Sequence, residues 1–148
     1  MIKFSLKRAL PYSNKQMYDI VIDVKKYPEF LPWCISAEEH GCNKKIFKAE
    51  LKIGFNLIKE SFMSEITPLY PYSIISKAIS GPFRILMNEW EFTEKKNNTC
   101  EVELNIEFQF KSMILDTLIG KVFEYSSRKM INAFEGRAKQ LYEKEKKH

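Results

Sequence analysis

The clearest pattern in the chain is a strict alternation in its last third. Cys100, Val102, Leu104, Ile106, Phe108 and Phe110 share one parity; Glu101, Glu103, Asn105, Glu107, Gln109 and Lys111 share the other. Six consecutive alternations predict a strand with one dry face and one wet face. Shorter alternations precede it. Ile2, Phe4 and Leu6 against Lys3, Ser5 and Lys7 predict a first strand, ended by Pro11. Phe47, Ala49, Leu51, Ile53 and Phe55 against Lys48, Glu50 and Lys52 predict another, with Gly54 near a bend or bulge. Ile58 to Ile66 alternates less cleanly, because Phe62 and Ile66 share their face with Glu60 and Ser64. Tyr72 to Ile79 is β-branched on both parities, so its inward face stays unassigned. Arg84 to Glu94 puts Leu86, Asn88, Trp90 and Phe92 on one side. Pro68 with Pro71, Gly81-Pro82 and Asn97-Asn98 mark the turns between these strands.

Two stretches follow helical spacing instead. Ser13 is a suitable N-cap for a helix through Val24 whose apolar face carries Met17, Ile20, Val21 and Val24. From Met113 to Lys144, Leu115, Leu118, Val122, Met130, Phe134, Ala138 and Leu141 recur at three- and four-residue steps. That predicts one amphipathic helix roughly 45 Å long. Ser126 interrupts its stripe with a small hydroxyl where a large apolar group is expected. Between the first helix and the next strand, Tyr27-Pro28-Glu29-Phe30-Leu31-Pro32-Trp33-Cys34 has two prolines four apart. They limit this segment to a short turn or helical loop carrying three aromatics.

The order is thus strand, helix, about six strands and one long helix, in a single domain over residues 1–148. Short turns between strands imply an antiparallel sheet. Its dry face needs a cover, and the long helix supplies it: an α+β fold with a curved sheet around a C-terminal helix. Lys144 to His148 reads as a frayed, solvated tail.

Composition adds limits. The net charge of +5 comes from twenty lysines and four arginines; it permits attraction to anionic membranes or nucleic acid without choosing between them. No basic cluster with interleaved aromatics stands out, and no DNA partner is expected. Cys34, Cys42 and Cys100 are odd in number and form no C-x-x-C pair, which fits a reduced cytoplasmic setting. No secretory signal and no run of about eighteen apolar residues is visible. Nucleotide-binding, zincin and nucleophile-elbow motifs are absent. His40 and His148 offer no metal-site partners, and Cys34 and Cys100 fall on core positions. No metal, catalytic group or cofactor is therefore assigned.

What remains is the dry face itself: Phe47, Phe55, Phe62, Trp90, Phe92, Phe108 and Phe110, interleaved with Ala49, Ser64, Asn88 and Glu60. A buried amide without partners costs about 1–3 kcal/mol, so a solid core rarely accepts one. Apolar ligand pockets use a few such groups for orientation. Equally, Asn88 and Glu60 fit a filled core if they satisfy backbone groups or reach the sheet edge. On pattern alone the two readings stand level. The aromatics of the Tyr27–Trp33 loop fit either a plug or a movable gate.

Tyr27 to Cys34 resembles the signature of the coenzyme Q-binding protein family, within the START-like polyketide cyclase/dehydrase and lipid-transport superfamily. Its bacterial members are often labelled ribosome-association toxins. Further similarities follow in order: Gly81-Pro82-Phe83, Leu86 with Trp90 and Phe92, Phe108 with Phe110, and Met130, Ala133, Phe134, Arg137 and Ala138. The resemblance implies a helix-grip fold around an apolar tunnel, and it favours the cavity. It also implies binding of ubiquinone or a similar polyprenyl quinone in support of respiratory electron transport. The chain starts almost directly at its first strand, so it is similar to the bacterial form. On this reading Phe62, Phe83, Leu86, Trp90, Phe108 and Phe123 line the tunnel, Asn88 and Ser126 offer polar contacts, and Tyr27, Phe30, Leu31 and Trp33 form the gate. Quinone would be a bound ligand, not a cofactor, with peripheral contact at the inner membrane face. Two alternatives accompany it. One is binding of the large ribosomal subunit. The other is a cyclase or aromatase, for which Glu60 is the one candidate acid on an inner face.

Overall fold

The computed structural model describes residues 1–41, 45–55, 57–120 and 123–146, without the side chains of residues 55, 123, 124 and 144–146. Seven strands form one antiparallel sheet in the order β1-β7-β6-β5-β4-β3-β2. They are β1 (Ile2–Leu10), β2 (Cys34–His40), β3 (Phe47–Phe55), β4 (Ile58–Leu69), β5 (Ser73–Ser80), β6 (Phe83–Lys95) and β7 (Thr99–Phe110). From β2 to β7 the chain pairs each strand with the next through short turns. β1 then closes the order by pairing with β7, Ile2 opposite Phe108 and Leu10 opposite Cys100. The connection from β1 to β2 must therefore cross the whole sheet. It does so on the dry face, as helix α1 (Asn14–Ile22) and a 3-10 helix over Val24–Glu29.

Local chemistry accounts for these elements. β7 alternates half-buried and buried side chains along its whole length, because every second residue is large and apolar and the others are mostly acidic or amide. On the wet face Lys3 lies 3.7 Å from Glu107, Lys7 3.9 Å from Glu103, and the Ser5 hydroxyl donates to Asn105 Oδ1 at 2.7 Å. These exposed pairs set which face is polar and add little stability. Between β6 and β7, Asn97 and Asn98 take φ of +61° and +56°, a left-handed conformation that Asn tolerates better than most residues. α1 starts on a capping box, with Ser13 Oγ accepting from the Gln16 amide while the Gln16 side chain accepts from the Ser13 amide.

Four expectations need correction. The helix expected to reach Val24 stops at Ile22: Asp23 leaves helical geometry, and the chain tightens into the 3-10 turn that holds Pro28. The turn placed between Pro68 and Pro71 is shorter, because β4 continues through Pro68, which is paired with Ile74. β3 reaches only Ile66, so on that side of β4 no neighbouring strand needs the amide proton that Pro68 lacks. The long helix expected from Met113 to Lys144 is described as α2 (Met113–Gly120) and α3 (Phe123–Lys146), and residues 121 and 122 between them lie outside the described residues. At Gly120 an added Cβ would lie 3.1 Å from the Ile2 side chain. The expected stripe is not buried along its whole length. Leu118 is 57% exposed and Leu141 39%, while Ser127, Ile131, Phe134 and Ala138 are the buried positions of α3. The tail expected to fray from Lys144 instead continues α3 as far as Lys146; Val122, residues 147 and 148, and Cys42 lie outside the described residues.

α3 and α1 lie side by side over the sheet, and α1 also reaches β5, β6 and β7. Between helices and sheet sits one apolar core containing Met17, Val21, Leu31, Phe92, Leu104 and Phe134. The curved sheet gripping a C-terminal helix is the expected helix-grip arrangement. Leu104 has no exposed surface, so Leu104→Ala should lower stability by about 2–5 kcal/mol. Lys7→Ala should change it by less than about 1 kcal/mol. Urea denaturation of both variants measures the contrast.

Candidate ligand-binding cavity

Packing between α3 and the sheet is not uniform. At Phe134, which borders the open space from one end, the ring centroid lies 5.4 Å from Tyr27, 5.2 Å from Phe30 and 5.0 Å from Trp90, each in an edge-on contact. About two turns earlier α3 carries Ser126 and Ser127, and there the space stays open. The result is a cavity of about 200 Å³ bordered by α3, α1, the aromatic loop, α2 and strands β3 to β7.

Each wall follows from local sequence. Phe108 and Phe110 come from the dry parity of β7, and Phe83 enters from the β5–β6 turn, stacked on Phe110 at 4.7 Å. Gly81 makes that approach possible. Its φ is +113°, and a Cβ there would lie 2.6 Å from Phe62 Cβ and 2.9 Å from the Ser61 carbonyl oxygen. Trp33 borders the cavity at the start of β2, where its carbonyl accepts from the Gly54 amide at 2.9 Å. The polar lining is sparse: Ser76 and Asn88, directly opposite each other on β5 and β6, with Ser126 and Ser127 on α3. Among the described lining residues none is a carboxylate, lysine, arginine or histidine. Such a space offers hydroxyl and amide hydrogen bonds to an otherwise apolar guest.

Nine of the twelve residues expected to touch a ligand border this cavity: Tyr27, Trp33, Phe62, Phe83, Leu86, Asn88, Trp90, Phe108 and Ser126. Leu31 does not. It is 1% exposed, turned into the core, and its amide donates to the Tyr27 carbonyl at 2.8 Å just past the 3-10 turn. Phe30 does not either; it packs on Tyr27 and Phe134. The side chain of Phe123 lies outside the described residues. Glu60, the candidate acid, is half-buried near the start of β4 and is not part of the lining.

The structure adds residues that pattern reading missed. Ile74 and Ser76 come from β5, whose mixed β-branched parities concealed its inward face. Ser127 was overshadowed by its neighbour, yet it is the more buried of the two serines. A stripe drawn through residues 127, 131, 134 and 138 would have found it. Ile119 comes from α2, which was expected to be part of a longer helix.

The aromatic loop is fastened at both sides. The Tyr27 hydroxyl donates to the Val21 carbonyl on α1, and burial raises its pKa above the ordinary phenol value, with Cys34, Asp23 and Glu39 adding to the effect. From α3, Arg137 donates to Glu29 Oε1 at 3.0 Å, and its guanidinium sits 5.3 Å from the Phe30 ring centre. These contacts hold Tyr27, Glu29 and Phe30, and Tyr27 and Trp33 border the cavity beside them. Burial pushes the thiols of Cys34 and Cys100 up to about 11, so at neutral pH neither is a nucleophile.

The family model described as polyketide cyclase/dehydrase and lipid transport matches residues 10–135. The chain belongs to this family. It is 40% identical over 145 residues to the ribosome association toxin RatA of Rickettsia prowazekii, covering 95% of this chain and 99% of that one. It is 32% identical over 145 residues to the mitochondrial coenzyme Q-binding protein COQ10 homolog B of Xenopus laevis, covering 95% of this chain. The chain spans 59% of that frog protein's length. Among solved structures, a START superfamily protein from Mycobacterium smegmatis superposes with a TM-score of 0.74 at 17% identity, over 94% of this chain and 98% of that one. That likeness speaks for the fold alone.

The Arg137 hydrogen bond, followed by Lys26, holds the Glu29 carboxyl below its ordinary pKa of 4.5. The folded state thus favours the ionised form. The resulting stabilisation is present above the ordinary pKa and fades as pH falls through the lowered value. Carbon-detected NMR titration should place the Glu29 midpoint below 4.5, and Arg137→Gln should return it toward the ordinary value.

Proposed function

We propose that this chain binds ubiquinone or a related polyprenyl quinone, ring first, in the cavity beneath α3, and serves respiratory electron transport as a carrier or chaperone. The observation that carries the reading is the lining: aromatic and aliphatic walls with Asn88, Ser76, Ser126 and Ser127 as the polar groups. A quinone ring is flat, apolar on its faces and an acceptor at two carbonyl oxygens, which suits hydroxyl and amide donors in an apolar slot. An isoprenoid guest also has reason to leave water, since each exposed methylene costs about 0.8 kcal/mol. The frog relative's name, coenzyme Q-binding protein, points the same way.

A second reading draws on the name of the Rickettsia relative, ribosome association toxin, together with the net charge of +5: the chain would bind the large ribosomal subunit. A cyclase reading has lost the residue it rested on, because Glu60 is not part of the cavity lining.

Both tryptophans of the chain, Trp33 and Trp90, border the cavity, so quinone entry should quench the intrinsic fluorescence. Ser126→Phe should weaken a short-chain ubiquinone by at least about tenfold while leaving the circular dichroism spectrum unchanged. Asn88→Leu should weaken it by about fivefold, the loss of one hydrogen bond of about 1 kcal/mol. Absence of quenching in the native chain, with quinone also missing from lipid extracts of protein purified from a quinone-containing host, would sink the quinone reading. For the ribosomal reading, co-sedimentation with large subunits should appear at low salt and fall steeply as salt rises. No association at any salt removes it.

A further inference from the structure

α2 is the anomaly of this fold. Five of its eight residues are large and apolar, and none is buried. Met113 is 86% exposed, Ile114 72% and Leu118 57%. A helix of that composition forgoes the burial that drives folding, and exposed apolar patches mark places where something else docks. On another side of the same helix Ile119 borders the cavity. The outer apolar surface of α2 is thus one residue away from the ligand space.

The same end of the sheet supplies the rest of the surface. It holds the β3–β4 turn, where Leu57 is fully exposed at 100%, and the β5–β6 turn. Exposed basic residues flank these turns: Lys59 at the start of β4, Arg84 at the start of β6 and Lys111 just past β7. Lys111 is tied in place by its amide, which donates to the Pro82 carbonyl at 2.8 Å. Of the acidic groups described here, Asp116 accepts the Phe110 amide at 3.0 Å, and Glu60 is half-buried. An apolar wedge with a basic rim matches the interface of an anionic bilayer, where acyl chains receive the wedge and headgroups receive the lysines and arginine.

Cavity size gives an independent reason. A space of about 200 Å³ is little larger than the roughly 150 Å³ that accommodates one benzene in an engineered protein cavity. It holds a ring and the beginning of a side chain, and a long isoprenoid tail has to pass out of it. Water is the wrong medium for that tail.

We propose that the α2 end of the molecule is a docking face for anionic lipid bilayers, through which a ligand's ring enters the cavity while its tail stays in the membrane. The path of the tail rests on the quinone reading above; the docking face does not.

Flotation of the whole chain with phosphatidylcholine vesicles containing about one-third phosphatidylglycerol tests this. The native chain should float with these vesicles and much less with pure phosphatidylcholine. Ile114→Asp with Leu118→Asp, and separately Arg84→Glu with Lys111→Glu, should each reduce vesicle binding by about tenfold or more. All four positions are exposed or outside the lining, so a tail-free dimethoxy-methyl-benzoquinone should still quench Trp33 and Trp90 equally in every variant. Failure of the native chain to bind the anionic vesicles, or variants that bind them like the native chain, overturns the docking face whatever the ring does. Vesicle binding that behaves as expected while the ring never quenches overturns the cavity reading and leaves the docking face standing. If the native chain ignores vesicles and these variants lose co-sedimentation with large ribosomal subunits, the apolar helix serves the ribosome and the lipid proposal falls.

Discussion

The height of α3 above the sheet is set by one ring. Phe134 is wedged edge-on against Tyr27, Phe30 and Trp90, so it joins the helix to both the aromatic loop and the sheet. A helix is stiff over two or three turns. Once Phe134 fixes the separation at one point, residues a few turns away cannot sink to fill space with smaller side chains. Ser126 and Ser127 occupy such positions, and the open volume beneath them follows from that geometry. Unfilled space destabilises a core through lost contacts, and the surrounding aromatic packing tolerates the loss.

The loop and the helix depend on each other through contacts distant in sequence. Arg137 bonds Glu29 and covers Phe30, while Tyr27 is hydrogen-bonded to α1. The loop is held at three points and forms one side of the cavity. α2 closes the opposite side with few buried contacts and a markedly apolar exterior. The two ends of the ligand space differ in physical character: one is tied by aromatic packing and ion pairing, the other presents greasy side chains to the surroundings.

This asymmetry bears on the two activities named among the relatives. A cavity with four polar groups among aromatic walls is an internal feature, suited to a small apolar guest. Exposed apolar and basic residues around α2 are an external feature, suited to a larger surface. One fold carries both kinds of surface.

Much of the architecture was legible in the residues. The parity of β7, the Ser13 cap, the break at Pro11, the turn at Gly81-Pro82 and the strand count all follow from interactions between near neighbours, and the structure agrees with them. Nine cavity residues were legible as well: inward parity and the aromatic loop pick out seven, the gap in the helical stripe gives Ser126, and the family resemblance gives Phe83. What the residues alone left open depends on distances between elements. Periodicity at Met113–Lys144 shows a helical segment; only the tertiary structure shows that Met113, Ile114 and Leu118 stay exposed while Ser127, Ile131, Phe134 and Ala138 are covered. Leu31 and Trp33 are two residues apart in one loop, yet the 3-10 turn buries Leu31 in the core and leaves Trp33 at the cavity. Whether Ser126 marked a filled notch or a cavity depended on the separation that Phe134 imposes, and no local pattern encodes that length. Sequence determined which face of each element is dry; the tertiary structure decided where the dry faces fail to meet.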